Sequence, residues 1–462
     1  MFENKKILVC GMARSGQSAA LVLRRLGAEV TATDLKAEIS WDYNPEEEGI
    51  LQKTGQTPDE IVADYELIII SPGISMYAPF VKKAKTLGIP VWGEAELAYR
   101  LCPCPMIAIT GTNGKTTVTT VVGEILKRQD IALRRGEGTV IAGNIGIPLT
   151  SLVTELSPGN IVVAEISSFQ LETISAFRPK ISAVLNMTED HLDRHKTMEN
   201  YIAAKSRIFE NQRQDDICVL NYDNSVTRGM KPRGRVIYFS TKSELKEFPD
   251  SACLQNGNIF VKYEQESYRI INISETKVMP ENALAAAAIT LAAGVSPEII
   301  AQVLREFQGV PHRLEYVATI NNAEFYNDSK ATNTDAAIKA LEAFSNRQII
   351  LISGGYDKKT DFTPLAKVIS KKVTRLILIG QTAGQIINAC EAAGFTAYER
   401  ADTLESAVSH AKFLAKPGQI VLFSPACASF DMFKDFEHRG ELFMKYVKVL
   451  AHGDTATQAP AL

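Results

Sequence analysis

Thr110-Gly111-Thr112-Asn113-Gly114-Lys115-Thr116 follows the apolar run Pro105-Met106-Ile107-Ala108-Ile109 and precedes a helix-like stretch from Thr117 to Lys127. Strand, glycine turn, lysine, hydroxyl and helix, in that order, form a phosphate cradle: backbone N–H groups at the turn and the helix N-terminus point at an anion. Lys115 can reach the outer phosphates of a nucleoside triphosphate, and the Thr116 hydroxyl can hold Mg²⁺. The spacing is shortened. Ile109 stands where the common pattern has its first glycine. A glycine turn at a strand end is also compatible with an ordinary turn, but the flanking strand and helix supply the context a phosphate loop requires.

At 462 residues the chain exceeds a single core and predicts about three domains. Hydrophobic residues make up 45% and charged residues 22%, a balance typical of a globular protein. The formal net charge of −3 shows no global basic excess, which argues against nucleic acid as the main partner. An anionic substrate has to be held by local clusters of Lys and Arg. Seven scattered cysteines show no zinc-type spacing and predict reduced thiols in a cytoplasmic protein. The N-terminus lacks a signal-peptide apolar region. No apolar stretch reaches the roughly 18 residues that span a bilayer, and the alanine-rich run Leu284 to Ala293 reads as a buried helix.

The expected fold class is α/β with three domains. Residues 1–96 alternate strands (Lys6–Cys10, Glu29–Thr33, Leu67–Ile70, Pro90–Trp92) with a helix over Gln17–Leu26, which predicts a Rossmann-like parallel sheet. The first turn, Gly11-Met12-Ala13-Arg14-Ser15-Gly16, is close to the dinucleotide fingerprint, with Ala13 in place of the glycine that lets backbone approach a pyrophosphate. Asp34 ends the second strand near the position that would hold a ribose hydroxyl. A nicotinamide cofactor or a uridine diphosphate group both suit that crevice. Residues 97–308 hold the phosphate loop, strands Ile161–Ile166 and Ile181–Leu185, a helix over Met198–Phe209, and a small β-rich part to about Ile273. Helices Glu281–Ala293 and Pro297–Phe307 follow. Residues 309–451 alternate again: strands Ala323–Tyr326, Ile349–Ile352, Arg375–Ile379 and Ile420–Phe423, and helices Thr334–Phe344, Ala383–Ala393 and about Phe433–Leu450. This predicts a second Rossmann-like unit. Residues 452–462 read as a flexible tail.

Several strand ends carry chemistry. Glu165 ends the apolar strand Val162-Val163-Ala164, where a carboxylate beside a phosphate loop can bind Mg²⁺ directly or through water; a solvent-exposed strand end is the plainer reading. Asn144 in Gly143-Asn144-Ile145-Gly146 is a candidate polar contact in the same cleft. His191 follows Asn186-Met187-Thr188-Glu189-Asp190 and precedes Asp193, a polar loop suited to a metal or a phosphate, although Mg²⁺ favours oxygen ligands. Lys205 sits among alanines; on the helical reading it would be partly buried, whereas composition alone makes it a snorkelling surface lysine. Arg313 opens the third block. Asp328 and Lys330 lie in Asn327-Asp328-Ser329-Lys330-Ala331-Thr332-Asn333, Lys358 in Gly354-Gly355-Tyr356-Asp357-Lys358-Lys359, and Ser429 in Ser424-Pro425-Ala426-Cys427-Ala428-Ser429. Three such loops at strand ends fit ligand binding at the carboxyl edge of an open sheet.

The shortened loop GTNGKTT resembles that of the Mur ligases and folylpolyglutamate synthetases. GNIG, EISSFQLE, NMTEDHLDRH, PHRLE, NDSKATN, GGYDKKTDF and SPACASFDMFKDFEHRG then follow in order over nearly the whole chain. The set is similar to the Mur ligases that add D-glutamate, because sister ligases carry a DYAH-type motif where NDSK stands here, and folylpolyglutamate synthetases lack the UDP-sugar domain. The resemblance implies an ATP-dependent ligase of peptidoglycan precursor synthesis. It would phosphorylate the carboxylate of UDP-N-acetylmuramoyl-L-alanine and let the amine of D-glutamate displace phosphate.

By motif position the resemblance implies roles for particular residues. Gly111, Thr112, Asn113, Gly114, Lys115, Thr116 and Thr117, with Asn282, Arg313 and Asp328, would contact ATP. Thr116 and Glu165 would hold one Mg²⁺; His191 and a carbamylated Lys205 would hold a second. Lys115, Glu165, His191 and Lys205 would be the catalytic set. Lys330, Thr332, Lys358, Ser429 and Phe436 would form the D-glutamate pocket. Arg14, Ser15, Asp34, Lys36, Gly73 and Asn144 would hold the UDP substrate. A cytoplasmic monomer with small-molecule partners and no membrane is expected, its third domain closing when ATP binds. A GTPase-like switch is disfavoured because no guanine-reading Asn-Lys-x-Asp run is present, and a nicotinamide oxidoreductase would rest on the imperfect first turn alone.

Overall fold

The computed structural model describes residues 1–134, 136, 138–144, 147–344 and 347–455. Ile145 and Gly146 of the GNIG motif and the last seven residues of the expected tail lie outside them. The chain forms two compact units, one of residues 1–187 with 194–307, the other of residues 188–193 with 308–462.

The first unit contains two sheets. Strands β1 (Lys6–Cys10), β2 (Glu29–Thr33), β3 (Leu51–Gln52), β4 (Leu67–Ile70) and β5 (Val91–Gly93) lie in the order β3-β2-β1-β4-β5, all parallel. The order reverses beside β1, and the β1 turn feeds helix Arg14–Arg25 at that switch point, where such sheets bind ligands. The near-continuous apolar run of β4, Leu-Ile-Ile-Ile, is buried throughout, as a strand covered on both faces requires.

The larger sheet has nine strands: β6 (Met106–Thr110), β7 (Thr139–Gly143), β8 (Ile161–Glu165), β9 (Ile181–Val184), β10 (Ile217–Asn221), β11 (Arg235–Ser240), β12 (Ser251–Gln255), β13 (Asn258–Tyr263) and β14 (Glu266–Asn272). Their order is β14-β13-β12-β11-β10-β9-β6-β8-β7. Pairing is parallel from β7 to β12 and antiparallel across β12, β13 and β14, so the β-rich part extends the same sheet. Strand β6, between β9 and β8, carries the phosphate loop at its carboxyl end. Helix Lys115–Ala132 packs against helix Pro280–Ala292, whose Ala283 to Leu291 are all buried. Its alanines admit close approach of the two backbones. Pro280 starts that helix and Gly294, at φ +82°, follows its end.

The second unit has six strands, β15 (Glu315–Ile320), β16 (Ala323–Asn327), β17 (Ile349–Ser353), β18 (Val373–Leu378), β19 (Tyr398–Arg400) and β20 (Ile420–Phe423), ordered β15-β16-β20-β17-β18-β19. Only β15 runs antiparallel, as an edge hairpin with β16. The last helix spans Phe436–Thr455 rather than Phe433–Leu450. Its start shifts because the Asp435 carboxylate accepts from His438 N at 2.7 Å, as an N-cap does.

Candidate active site

The phosphate loop is built from two left-handed glycines and a clamp. Gly111 has φ +151° and Gly114 φ +83°. A Cβ at Gly114 would lie 2.5 Å from Asn282 Oδ1, so glycine is required both for the backbone turn and for the approach of that amide. Asn186, just beyond β9, holds the loop in register. Its Oδ1 accepts from Asn113 N at 2.8 Å, its Nδ2 donates to Asn113 O at 3.0 Å, and its carbonyl accepts from Thr112 N. The helix begins at Lys115, two residues earlier than Thr117, so Gly114 is its N-cap. The amide groups of the first turn therefore open onto the loop. Lys115 Nζ donates to Gly111 O and Thr112 O, folded back over the same loop.

Glu165 is 2% exposed, which excludes the solvent-exposed strand end. Thr116 Oγ1 donates to its Oε2 at 2.8 Å and Asn144 Nδ2 to its Oε1 at 2.9 Å. Backbone geometry enforces this grouping: Asn144 N donates to Glu165 O, and Gly143, at φ +112°, would place a Cβ 2.3 Å from that carbonyl. Among the described residues, no three of His, Cys, Asp and Glu converge as a metal-ligating cluster. A lone carboxylate beside a threonine hydroxyl and a loop of amides is instead the hard-oxygen set that fits Mg²⁺ completed by phosphate oxygens and water.

Lys205 is also 2% exposed, contrary to the surface reading from composition. Its Nζ donates to Gly111 O at 2.8 Å and Thr110 Oγ1 at 3.3 Å, and lies 5.0 Å from the Tyr201 ring centroid. The tyrosine hydroxyl shares a hydrogen bond with Thr112 Oγ1. Helix Met198–Ser206 thus aims a buried amine at the carboxyl end of β6, a placement that an alanine-flanked lysine conceals in sequence.

In the first sheet, a cavity of about 420 Å³ opens at the switch point. Cys10, Gly11, Thr33, Asp34, Gly73, Ile74 and Phe80 are among its lining. Asp34 and Gly73 of the expected UDP set face it; Arg14, Ser15 and Lys36 do not line it. The Asp34 carboxylate accepts from Met12 N at 2.7 Å and Lys36 N at 2.9 Å, so it shapes the two loops around the cavity.

In the second unit, a cavity of about 290 Å³ is bounded by residues 188–192, Asn333, Lys358 and Thr360, among others. Asp190 organises one wall: its Oδ2 accepts from Asn333 Nδ2 at 3.1 Å, and its Oδ1 lies 3.5 Å from Lys358 Nζ. His191, at φ +54°, follows it with its backbone N–H donating to Asp190 Oδ1.

Deeper in this unit, Asp328 is fully buried. Ser424 Oγ donates to it at 2.7 Å, Leu314 N at 3.2 Å, and Arg313 lies 3.7 Å away. Burial pushes its carboxyl above the usual range despite those partners. Lys330 Nζ stands 4.4 Å from the Phe436 ring centroid, a cation–π contact. Thr332 is half-buried and Ser429 buried.

Sequence reasoning missed Asn186 and Arg439, and took Asp190 only as part of the polar loop around His191. Arg439 is fully buried and donates to Ser329 Oγ, Ser329 O, Cys427 O and Ala428 O, tying the NDSK loop to the SPACAS loop. The signal was available: Arg439, Phe443 and Val447 recur at helical spacing on one buried face.

Family models match along the chain in the order of these sites: "Mur ligase MurD-like, N-terminal domain" over residues 5–93, "Mur ligase middle domain" over 109–290 and "Mur ligase, glutamate ligase domain" over 312–427. A UDP-N-acetylmuramoylalanine–D-glutamate ligase of Caldanaerobacter subterraneus subsp. tengcongensis is 45% identical over 456 residues, covering 96% of this chain and 98% of its own. The enzyme of the same name from Caldicellulosiruptor bescii is 46% identical over 462 residues, covering 97% and 98%. Among solved structures, UDP-N-acetylmuramate–alanine ligase of Thermotoga maritima superposes with a TM-score of 0.59 at 18% identity, covering 96% of this chain and all of that one. A pseudomurein peptide ligase type C of Methanothermus fervidus gives 0.58 at 17% identity, covering 97% and 100%. These two share the fold. With three domain models in sequence and relatives matched nearly end to end, the chain belongs to the Mur ligase family.

Proposed function

We propose that this chain joins D-glutamate to UDP-N-acetylmuramoyl-L-alanine at the expense of ATP, through an acyl phosphate. The observation that carries the reading is the buried Glu165 carboxylate beneath the shortened glycine loop, held by Thr116 and Asn144. The names of relatives at 45–46% identity supply the substrates.

Hydroxide is a poor leaving group, so the substrate carboxylate has to be activated. One carboxylate oxygen attacks the γ-phosphorus of ATP, ADP departs, and the D-glutamate nitrogen attacks the acyl carbon. Collapse of the tetrahedral adduct expels phosphate, and the nitrogen loses its proton as the amide forms. Lys115 and the loop amides stabilise the transferred phosphoryl charge. Mg²⁺, when bound, neutralises charge on the triphosphate oxygens, and Thr116 and Glu165 would hold it. Gly111 to Thr117, Asn282, Arg313 and Asp328 are the residues we assign to ATP binding. The cavity with Asp34 and Gly73 takes the uridine diphosphate portion.

His191 would be a ligand of a second Mg²⁺, and so would Lys205 as a carbamate. Carbamylation converts the buried amine into an anionic oxygen ligand suited to a hard cation. Lys330 and Lys358 receive the two carboxylates of D-glutamate, with Thr332, Ser429 and Phe436 shaping the pocket. The enzyme works as a cytoplasmic monomer. No helix among the described residues is long and apolar enough to cross a membrane.

Phosphate release from ATP and Mg²⁺ tests the reading. Release that requires both UDP-N-acetylmuramoyl-L-alanine and D-glutamate is expected. Release independent of them makes the chain a simple ATPase and sinks the assignment.

A further inference from the structure

Arg194 belongs to none of the groups used above, yet it joins the nucleotide cavity to the segment that follows Glu165. Its side chain is 15% exposed. One terminal nitrogen donates to Pro72 O at 2.6 Å; the other donates to Ile74 O at 2.9 Å and Glu172 Oε2 at 2.6 Å. The guanidinium carbon Cζ lies 4.2 Å from the Phe169 ring centroid. Pro72 and Ile74 flank Gly73, and Gly73 and Ile74 line the cavity at the switch point.

The connection continues on the far side of Glu172. Its Oε1 lies 3.3 Å from His195 Nδ1, and His195 Nε2 shares a 3.0 Å hydrogen bond with Ser168 Oγ. The imidazole also stacks on Phe169, with centroids 5.5 Å apart, and tilts against Tyr201. Ser168 opens helix Ser168–Leu171, whose capping box is formed by Ser167 and Gln170, directly after β8 and Glu165. A chain of hydrogen bonds and ion pairs therefore runs Ser168–His195–Glu172–Arg194 and ends on the two carbonyls at the cavity rim. A planar guanidinium can hold two carbonyls and a carboxylate in one fixed fork; a lysine offers a point charge without that geometry.

We propose that Arg194 is a positioning residue that fixes the Ser71–Ile74 rim, and so sets the separation between the nucleotide cavity and the carboxylate-activation site. The proposal rests on the reading that this cavity takes the uridine diphosphate portion. In that case the binding energy of the nucleotide places a distant carboxylate, and a shift of the rim misplaces it.

The test is steady-state kinetics of the full-length protein with each substrate varied in turn. Arg194→Ala should raise KM for UDP-N-acetylmuramoyl-L-alanine by about tenfold or more while KM for ATP and for D-glutamate stays within about twofold. Arg194→Lys should recover only part of the loss. Glu172→Gln, which keeps the shape and removes the partner's charge, should shift the same KM in the same direction by less. Equal increases in all three KM values, or none with Arg194→Ala, overturn the proposal. Gly73→Val separates this failure from failure of the underlying reading, because Gly73 lines the cavity and a Cβ added there meets nothing within 4 Å. If Gly73→Val raises KM for the UDP substrate and Arg194→Ala does not, only the positioning role falls. If neither does, the cavity is not the nucleotide site. Should Arg194→Ala misfold, Glu172→Gln alone decides by the same pattern.

Discussion

Thr116 donates its hydroxyl proton to Glu165 across 2.8 Å, joining the first turn of the loop helix to the end of the neighbouring strand. The carboxylate is buried and spends its other oxygen on Asn144. A buried anion held only by neutral donors is poised to exchange one of them for a cation. Glu165→Gln keeps the shape and removes the charge. It should lower kcat by about a hundredfold or more, with a thermal midpoint close to that of the parent protein. Phosphate release at saturating substrates measures the first and calorimetry the second. Undiminished turnover would remove Glu165 from the site.

Gly114 carries two separate demands, a φ of +83° and an approach of 2.5 Å between its missing Cβ and Asn282 Oδ1. Gly114→Ala has to meet both. A left-handed alanine costs about 1–2 kcal/mol, and the displaced Asn282 amide disturbs the loop further. Denaturant unfolding should report a stability loss of that size, and KM for ATP should rise. A variant as stable as the parent and unaltered in KM would show that the loop relaxes freely around the added methyl.

Much of the architecture was legible because buried parallel strands read as apolar runs. Lys6–Cys10, Glu29–Thr33, Leu67–Ile70 and Ile420–Phe423 have the bounds expected from sequence. Elements with weaker contrast were not legible. Strand β3 is two residues long and exposed, β15 is an edge strand that is mostly half-exposed, and helices Pro79–Thr86 and Glu94–Leu101 carry many charges. The glycine loop declared itself through φ-permissive residues at fixed offsets. Asn186 and Arg439 did not, since an amide and a guanidinium announce a partner only when the fold supplies one. Lys205 is the sharpest case: its alanine-lined helical position pointed to partial burial and composition to a snorkelling lysine, and full burial came from packing of its helix beneath the loop.

Glu94 is 2% exposed and sits at the start of the helix that leads into β6. It accepts from Thr150 N and Gln170 Nε2. Burial raises its carboxyl above the ordinary value, outweighing those hydrogen bonds. A folded-state value above the unfolded one means that the unfolded state releases its proton first as pH rises. Stability from this group is therefore complete below the unfolded value and declines as pH climbs through the raised folded one. Glu94→Gln removes that dependence. The stability of the parent relative to Glu94→Gln should fall steadily from acidic pH upward, measured as denaturant midpoints over a pH series. A constant difference across the series would mean that Glu94 does not titrate differently on folding.

Arg439 holds the two loops assigned to D-glutamate by donating to three backbone carbonyls and one hydroxyl while wholly enclosed. Desolvation lowers its guanidinium to about 10, which still leaves it charged at neutral pH. Arg439→Lys retains a cation but cannot span Ser329 and the Cys427–Ala428 carbonyls together, because one ammonium has no fork. Each buried carbonyl left without a donor costs about 1–3 kcal/mol. The variant should unfold at lower denaturant, and KM for D-glutamate should rise more than KM for ATP. The asymmetry is the informative part, since general loosening of the second unit would weaken Asp328 and Arg313 as much as the amino-acid loops. Equal changes in the two KM values would make Arg439 a stabiliser of the whole sheet edge rather than of the pocket.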